Sequence, residues 1–244
     1  MIQRQHRLQI LHALIGKLVA IRVQGQSNIP VSGGAILICN HTDYIDAVIQ
    51  GLYSVRELTY LAKAELLDED WLTRLQLYRS EIESAGLPPE ILEILDESFN
   101  LASQMLDDLN ILPIIRNYRS GNATQNQAYY ETVLRAAEEI LNEGQILVIY
   151  PEGQRSSDGR IQEFKGFAAR LAIQCRVPVI PSAIIGAHGF SDPVNWVNGE
   201  NLHRTIHYRV GTVIPAASLP KKDTKKNIKS LTAKMHTAVC DLQE

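Results

Sequence analysis

An α/β fold with a central, largely parallel mixed sheet flanked by helices is what this sequence predicts, on three observations. Short apolar runs alternate with longer segments of helical periodicity along most of the 244 residues, the pattern of strands joined by helical crossovers. The runs Ala35-Ile36-Leu37-Ile38-Cys39 and Ile146-Leu147-Val148-Ile149 contain no polar side chain, as strands covered on both faces require. Polar and turn-forming residues follow each of those runs, at the strand ends where open α/β sheets hold ligands.

The elements follow in order. Leu8, Leu11, Ile15, Leu18 and Val19 recur at helical spacing, with Ile10 and Leu14 widening the stripe, so residues 2–20 form an N-terminal amphipathic helix. Arg4, Arg7, Lys17 and Arg22 flank or interrupt the stripe. It is too short to span a bilayer, and it suits either the plane of a membrane interface or packing on the sheet. Residues 21–25 read as a first strand and Asn28-Ile29-Pro30 as a turn. The run 35–39 ends at Asn40, a helix covers 43–53, and 58–62 is another strand. An acidic insert over 64–110 supplies two helices, 68–84 and 88–109, broken at Gly86-Leu87-Pro88-Pro89. A strand over 111–115 leads to Arg116, and Gly121-Asn122 turns the chain into a helix over 124–142 that Gly144 ends. After the strand 146–149 come a helix over 164–174, strands over 178–185 and 205–214, and a basic helix over 221–242. A chain of 244 residues can place all of this around one core, as a single domain over 1–244.

Charge is unevenly divided. Residues 64–110 carry twelve acids and two bases, a net −10, which leaves 22 bases and 15 acids elsewhere, a net +7. A basic body suits anionic substrates and anionic lipid surfaces; the insert either faces away from such a surface or is a pair of solvated helices. Only 6% of residues are aromatic and no basic-aromatic recognition motif occurs, which argues against a nucleic-acid partner. Cys39, Cys175 and Cys240 are scattered and odd in number, pointing to a reducing compartment without a disulfide framework. Residues 1–30 lack the compact apolar core and cleavage site of a secretory signal. His203 and His207 are spaced for a metal on a helix, but Ile206-His207-Tyr208-Arg209-Val210 alternates like a strand, so no metal site is expected. His6, His12, His188 and His236 carry no motif.

Two segments carry chemistry. In His41-Thr42-Asp43-Tyr44-Ile45-Asp46 a His and an Asp stand five residues apart after an apolar run. That separation is wrong for partners on one straight helix. It fits a His in a loop whose Asp sits in the first turn of the following helix and reaches back, fixing the tautomer of a general base. The bland alternative is a strand-end His and a helix-capping Asp. Tyr150-Pro151-Glu152-Gly153-Gln154-Arg155-Ser156 follows the second apolar run. Pro and Gly let the backbone turn, and Arg155 offers a planar fork of donors suited to phosphate. Its alternative is a surface turn in which Arg155 pairs with Glu152. Cys39 shares strand parity with His41, so a Cys-His nucleophile is conceivable, but a buried structural thiol is the commoner use of such a residue.

Together the two segments resemble the glycerophospholipid acyltransferase family, 1-acylglycerol-3-phosphate acyltransferase type, across about residues 20–62 and 110–215. Asn40 to Asp46 matches its Asn-His-x-x-x-x-Asp block and Tyr150 to Ser156 its Phe-Pro-Glu-Gly-Thr-Arg-Ser block. Leu112-Pro113-Ile114-Ile115-Arg116, Phe164-Lys165-Gly166 and Val177-Pro178-Val179-Ile180-Pro181 agree in order. The chain departs from the pattern at Gln154 (usually Thr), Tyr150 (usually Phe) and Ile115 (often acidic), and the first and second blocks lie further apart than usual. The resemblance implies a glycerolphosphate acyltransferase-like fold and direct acyl transfer from an acyl-CoA or acyl-carrier-protein thioester to a lysophospholipid hydroxyl, with no cofactor. His41 would be the base and Asp46 its orienting partner; Arg116 and Arg155 would hold the acceptor phosphate, in a pocket shaped by Glu152 and Gly153. Backbone amides near His41 are the expected oxyanion donors, and the cytoplasmic face of a membrane the expected place of work. The insert 64–110, between the blocks, is placed to border the acyl channel. Three alternatives stay open: another lysophospholipid or lipid alcohol as acceptor, a non-catalytic lipid-binding protein, and a thioester hydrolase.

Overall fold

The computed structural model describes residues 4–64, 80, 84, 86, 88–90, 92–94, 96, 97, 110–115 and 122–244. Seven strands form one sheet: β1 (Ala20–Gln24), β2 (Ala35–Cys39), β3 (Leu58–Lys63), β4 (Asn110–Ile114), β5 (Ile146–Ile149), β6 (Val179–Ile185) and β7 (Thr205–Val210). Their order is β1-β7-β6-β2-β5-β3-β4, every neighbouring pair parallel except the antiparallel β6–β7. β2 and β5 lie side by side in the middle, Ala35 opposite Ile146 and Ile38 opposite Ile149. All nine residues of these two strands are buried; a fully buried Ile, Leu or Val stabilises the fold by about 1.5–3 kcal/mol.

The helices are α1 (Arg4–Leu18), α2 (Ile45–Tyr53), α3 (Ala123–Asn142), α4 (Phe167–Cys175), α5 (Pro193–Val197) and α6 (Lys225–Cys240). Strand alternation sends Leu37, Cys39 and Val148 to one face, where they meet α1, α2 and Trp196 of α5. Ile36, Ile38, Leu147 and Ile149 go to the other face, against α3, α4 and α6. β2 leaves the sheet through α2 on the first face, and β5 through α4 on the second. The crevice beyond the ends of these two strands is therefore a topological switch point, the usual place for a ligand in an open α/β sheet.

Several expectations change. The stripe Leu11, Leu14, Ile15 and Leu18 is buried against the sheet, so those residues are core and are not available to lie in a bilayer. α2 begins at Ile45 rather than 43, because the amides of Thr42 and Asp43 turn back to the Asp46 carboxylate. α4 begins at Phe167 rather than 164; the Lys165 amide donates instead to Pro151 O at 2.7 Å. β7 stops at Val210, because its next partner is Pro181, which has no N–H to give, and the strand segment resumes only as the Val179–Ile214 bridge. The last helix covers Lys225–Cys240, with Thr224 Oγ1 capping the Asn227 amide at 3.2 Å. The insert's helices at 68–84 and 88–109 lie largely outside the described residues.

Candidate active site

Two loops leave the ends of β2 and β5, and the backbone of each is fastened to the other. Asn40, fully buried, first extends the β2–β6 pairing with its side chain. Its Nδ2 donates to Ile184 O and its Oδ1 accepts from Ile184 N, both at 2.8 Å. An amide side chain thus stands where the strand's own peptide has turned away. Asn40→Ala leaves a buried donor and a buried acceptor of β6 unpaired. Each such group costs about 1–3 kcal/mol, so the unfolding free energy in urea is expected to fall by about 2–6 kcal/mol. A fall under about 0.5 kcal/mol would show that the pairing is replaceable.

His41 comes next. Its amide donates to Glu152 Oε1 at 2.8 Å, and its carbonyl accepts from the Ser156 amide at 2.7 Å. The imidazole Nδ1–H donates to Asp46 Oδ2 at 3.0 Å. Asp46, in the first turn of α2, is fully buried, and the same oxygen accepts from the amides of Thr42 (2.7 Å) and Asp43 (2.9 Å). A carboxylate only accepts, so Nδ1 carries a proton, and in the neutral tautomer this selects Nε2 is the nitrogen with the lone pair. Among the described residues none takes Nε2, and the His41 side chain is 19% exposed. The ring lies against Tyr150, centroids 4.0 Å apart and planes within 19°. Tyr150 OH donates to Gln50 Oε1 at 2.7 Å, which anchors that ring to α2. The result is an imidazole whose plane and tautomer are set by α2 and by the β5 loop.

Glu152 is buried and both of its oxygens are engaged, one by His41 N and the other by Gln162 N at 2.9 Å. Its geometry is that of a fastener between loops, without an atom left to face a phosphate. Burial pushes its carboxyl above the ordinary 4.5, against the lowering pull of those two amides. A carboxyl raised by folding contributes stability below its ordinary value and loses that contribution as pH rises through the raised one. Gly153 turns the loop at φ 72°, a conformation that favours glycine, and its amide donates to Tyr150 O at 3.0 Å. Lys165 runs beside it; a Cβ on Gly153 would lie 3.8 Å from Lys165 Cγ. Arg155 is exposed and stands over the Tyr44 ring, 3.8 Å from its centroid, with Nη2 donating to Tyr44 OH at 3.0 Å. Arg155 therefore pairs with an aromatic side chain of the His41 loop and not with Glu152. Arg116 lies outside the described residues; Ile115, just before it, is 47% exposed at the end of β4.

Backbone amides near His41 were the expected oxyanion donors. Those of His41, Thr42 and Asp43 are committed to carboxylates, His41 to Glu152 and the others to Asp46, so these three do not serve in that role. Cys39 is fully buried and its thiol is pushed far up by burial, which removes the nucleophile reading. Three connections were not foreseen. Asp43, buried, accepts from the Ile45 amide at 3.1 Å, the Ser191 amide at 3.0 Å and Ser191 Oγ, tying the loop before α5 to the His41 loop. Tyr44 holds Arg155, and Gln50 holds Tyr150. The replacement of the usual Phe by Tyr150 was the visible signal for the last.

The Acyltransferase family model matches residues 20–82 and 93–185, a span from β1 through β6 that contains both loops. A 1-acyl-sn-glycerol-3-phosphate acyltransferase of Cocos nucifera is 30% identical over 77 residues, 32% of this chain and 25% of that protein. One from Limnanthes alba is 38% identical over 74 residues, 30% of this chain and 25% of that protein. A probable 1-acyl-sn-glycerol-3-phosphate acyltransferase of Mycoplasma pneumoniae is 23% identical over 216 residues, 86% of this chain and 66% of that protein. The chain thus spans about a quarter of the length of the two plant relatives. The crystal structure of the 1-acyl-sn-glycerophosphate acyltransferase PlsC from Thermotoga maritima superposes with a TM-score of 0.59 at 17% identity, over 100% of this chain and 83% of that one. At that identity the likeness is one of fold: a seven-stranded, mostly parallel mixed sheet flanked by helices.

Proposed function

We propose that this chain, which belongs to the acyltransferase family, moves a fatty acyl group from an acyl-CoA or acyl-carrier-protein thioester to the free hydroxyl of a lysophospholipid, 1-acylglycerol-3-phosphate first among them. The observation that carries the reading is the His41–Asp46 pair, whose imidazole is partly exposed beyond the ends of β2 and β5 with Nε2 free of any described partner. His41 Nε2 takes the proton of the acceptor hydroxyl as that oxygen attacks the thioester carbonyl. The new C–O bond forms, the C–S bond breaks, and the departing thiolate recovers the proton from the imidazolium, whose charge Asp46 balances. No acyl-enzyme is needed. The names of the relatives support the acceptor, and Arg155, exposed at the mouth and held over Tyr44, supports its phosphate. Arg116 remains the second proposed phosphate ligand, with Glu152 and Gly153 shaping the wall. The acceptor is a lipid, so the proposed place of work is a membrane surface; no described helix is long and apolar enough to cross one.

Thiol release measured with lysophosphatidate tests this. Release is expected to depend on the acceptor. Arg155→Ala is expected to raise KM for lysophosphatidate about 10-fold or more, the worth of a charge-assisted hydrogen bond of about 1.5–3 kcal/mol, with kcat within about 3-fold of native. Release without acceptor would instead identify a hydrolase. Activity confined to an acceptor without phosphate, unmoved by Arg155→Ala, would remove the phosphate from the proposal.

A further inference from the structure

One helix of this protein carries a charged face that the proposed chemistry does not use. Along α6 and the turn before it, Lys221, Lys222, Lys225, Lys226, Lys229 and Lys234 are all exposed, while Leu231, Met235 and Val239 are buried against the sheet. The acid within this stretch, Asp223, is drawn inward to Arg170 and Gln174 of α4. Among the described residues no acid pairs with any of the six lysines. Ser230, Ala233 and Thr237 fill the solvent side between and beyond them, so the face carries no large apolar group. The inward side of α6 is fixed to the start of α4: Ile228 abuts Gly166 closely enough that a Cβ there would come within 2.8 Å of its Cγ2, and exposed Lys165, next in the chain, runs past Gly153.

We infer that the lysine face of α6 docks the protein on an anionic lipid bilayer, with headgroup phosphates as its ligand. This rests on the reading of the acceptor as a lysophospholipid, and it names the surface that reading requires. Lysines close to an anionic leaflet are drawn to it by its potential, without insertion of apolar groups. A protein partner would call for something else: interfaces between proteins have apolar or aromatic centres and are poor in Lys. The stripe of α1, the other element suited to a bilayer by its sequence, is buried in the core over Leu11, Leu14, Ile15 and Leu18.

The test uses the full chain with sedimentable vesicles, either pure phosphatidylcholine or phosphatidylcholine with about one-third phosphatidylglycerol. The native protein is expected to bind the anionic vesicles, to ignore the neutral ones, and to be released by salt. The triple variant Lys225→Glu, Lys226→Glu, Lys229→Glu is expected to bind at least about 100-fold more weakly. It should keep the native unfolding midpoint and the native turnover with a short-chain, monomeric lysophosphatidate. Equal vesicle binding by the native chain and the triple variant overturns the inference. So does a variant that binds vesicles normally but fails only with acyl carrier protein as donor, which would assign the face to an acidic protein. Should neither chain turn over any acceptor while the variant alone loses the vesicles, the docking surface stands and the catalytic reading falls.

Discussion

His41→Ala is expected to lower kcat for acceptor-dependent thiol release by about 10³-fold, in the middle of the 10²–10⁴ that a positioned general base contributes. The loss should be confined to chemistry. The bonds that fasten the His41 loop run through its backbone, from His41 N to Glu152 and from Ser156 N to His41 O, and an alanine keeps both. Asp46 also keeps the amides of Thr42 and Asp43, so the first turn of α2 remains closed. KM for the acceptor should therefore stay within a few-fold of native, because Arg155 and its support on Tyr44 are untouched. A variant that retained more than about a tenth of native kcat would exclude His41 as the base. A variant with lowered kcat and a lowered unfolding midpoint would mean that the stack on Tyr150 supports the fold as well as the site.

The centre of the sheet was legible because its signal is local. Ala35–Cys39 and Ile146–Ile149 are unbroken apolar runs, and a strand covered on both faces has no other composition to choose. The His41–Asp46 pair was legible for a similar reason: five residues of loop and first helical turn settle the reach of one side chain to the other. What stayed hidden depends on partners distant in sequence. Glu152 was read as shaping a phosphate pocket; what the sequence did not show is that its oxygens accept from the amides of residues 41 and 162, groups present at every non-proline position that leave no mark in the sequence. The α1 stripe suits lipid and sheet equally, since both are apolar, and only the packed structure decides between them. β7 ends at Val210 because Pro181 sits opposite the next residue, a pairing across about thirty residues of chain. Helix α5 was missed: Asp192 caps it, accepting from the Val194 amide at 3.0 Å, with a proline in the first position, but five residues are too few for periodicity to register.

Asp46→Asn is expected to be the most damaging change that alters almost no volume, lowering kcat by about 10³–10⁴-fold, the scale seen where an amide replaces the carboxylate behind a catalytic His. Three donors converge on one oxygen of Asp46: His41 Nδ1–H, Thr42 N–H and Asp43 N–H. Asparagine can meet them only by placing its carbonyl there. Its NH₂ then takes the place of Oδ1, which is buried and has no partner among the described residues, so a donor is stranded where an acceptor was. Turning the amide over relieves nothing, since the NH₂ would face two backbone N–H groups and drive His41 to the tautomer with its proton on Nε2, where it can no longer take one from the acceptor. In either orientation the negative charge that balances the imidazolium is gone. Asp46→Ala removes the same charge and also leaves the two amides of the turn unpaired, so it should lose stability as well, by about 1–3 kcal/mol per unpaired group. Comparing the two variants separates the roles. A collapse of kcat in both, with the larger fall in unfolding free energy in the alanine variant alone, identifies Asp46 as the group that orients and charge-balances the base. Near-native kcat in Asp46→Asn would reduce Asp46 to the cap of α2 and leave His41 without its orienting partner.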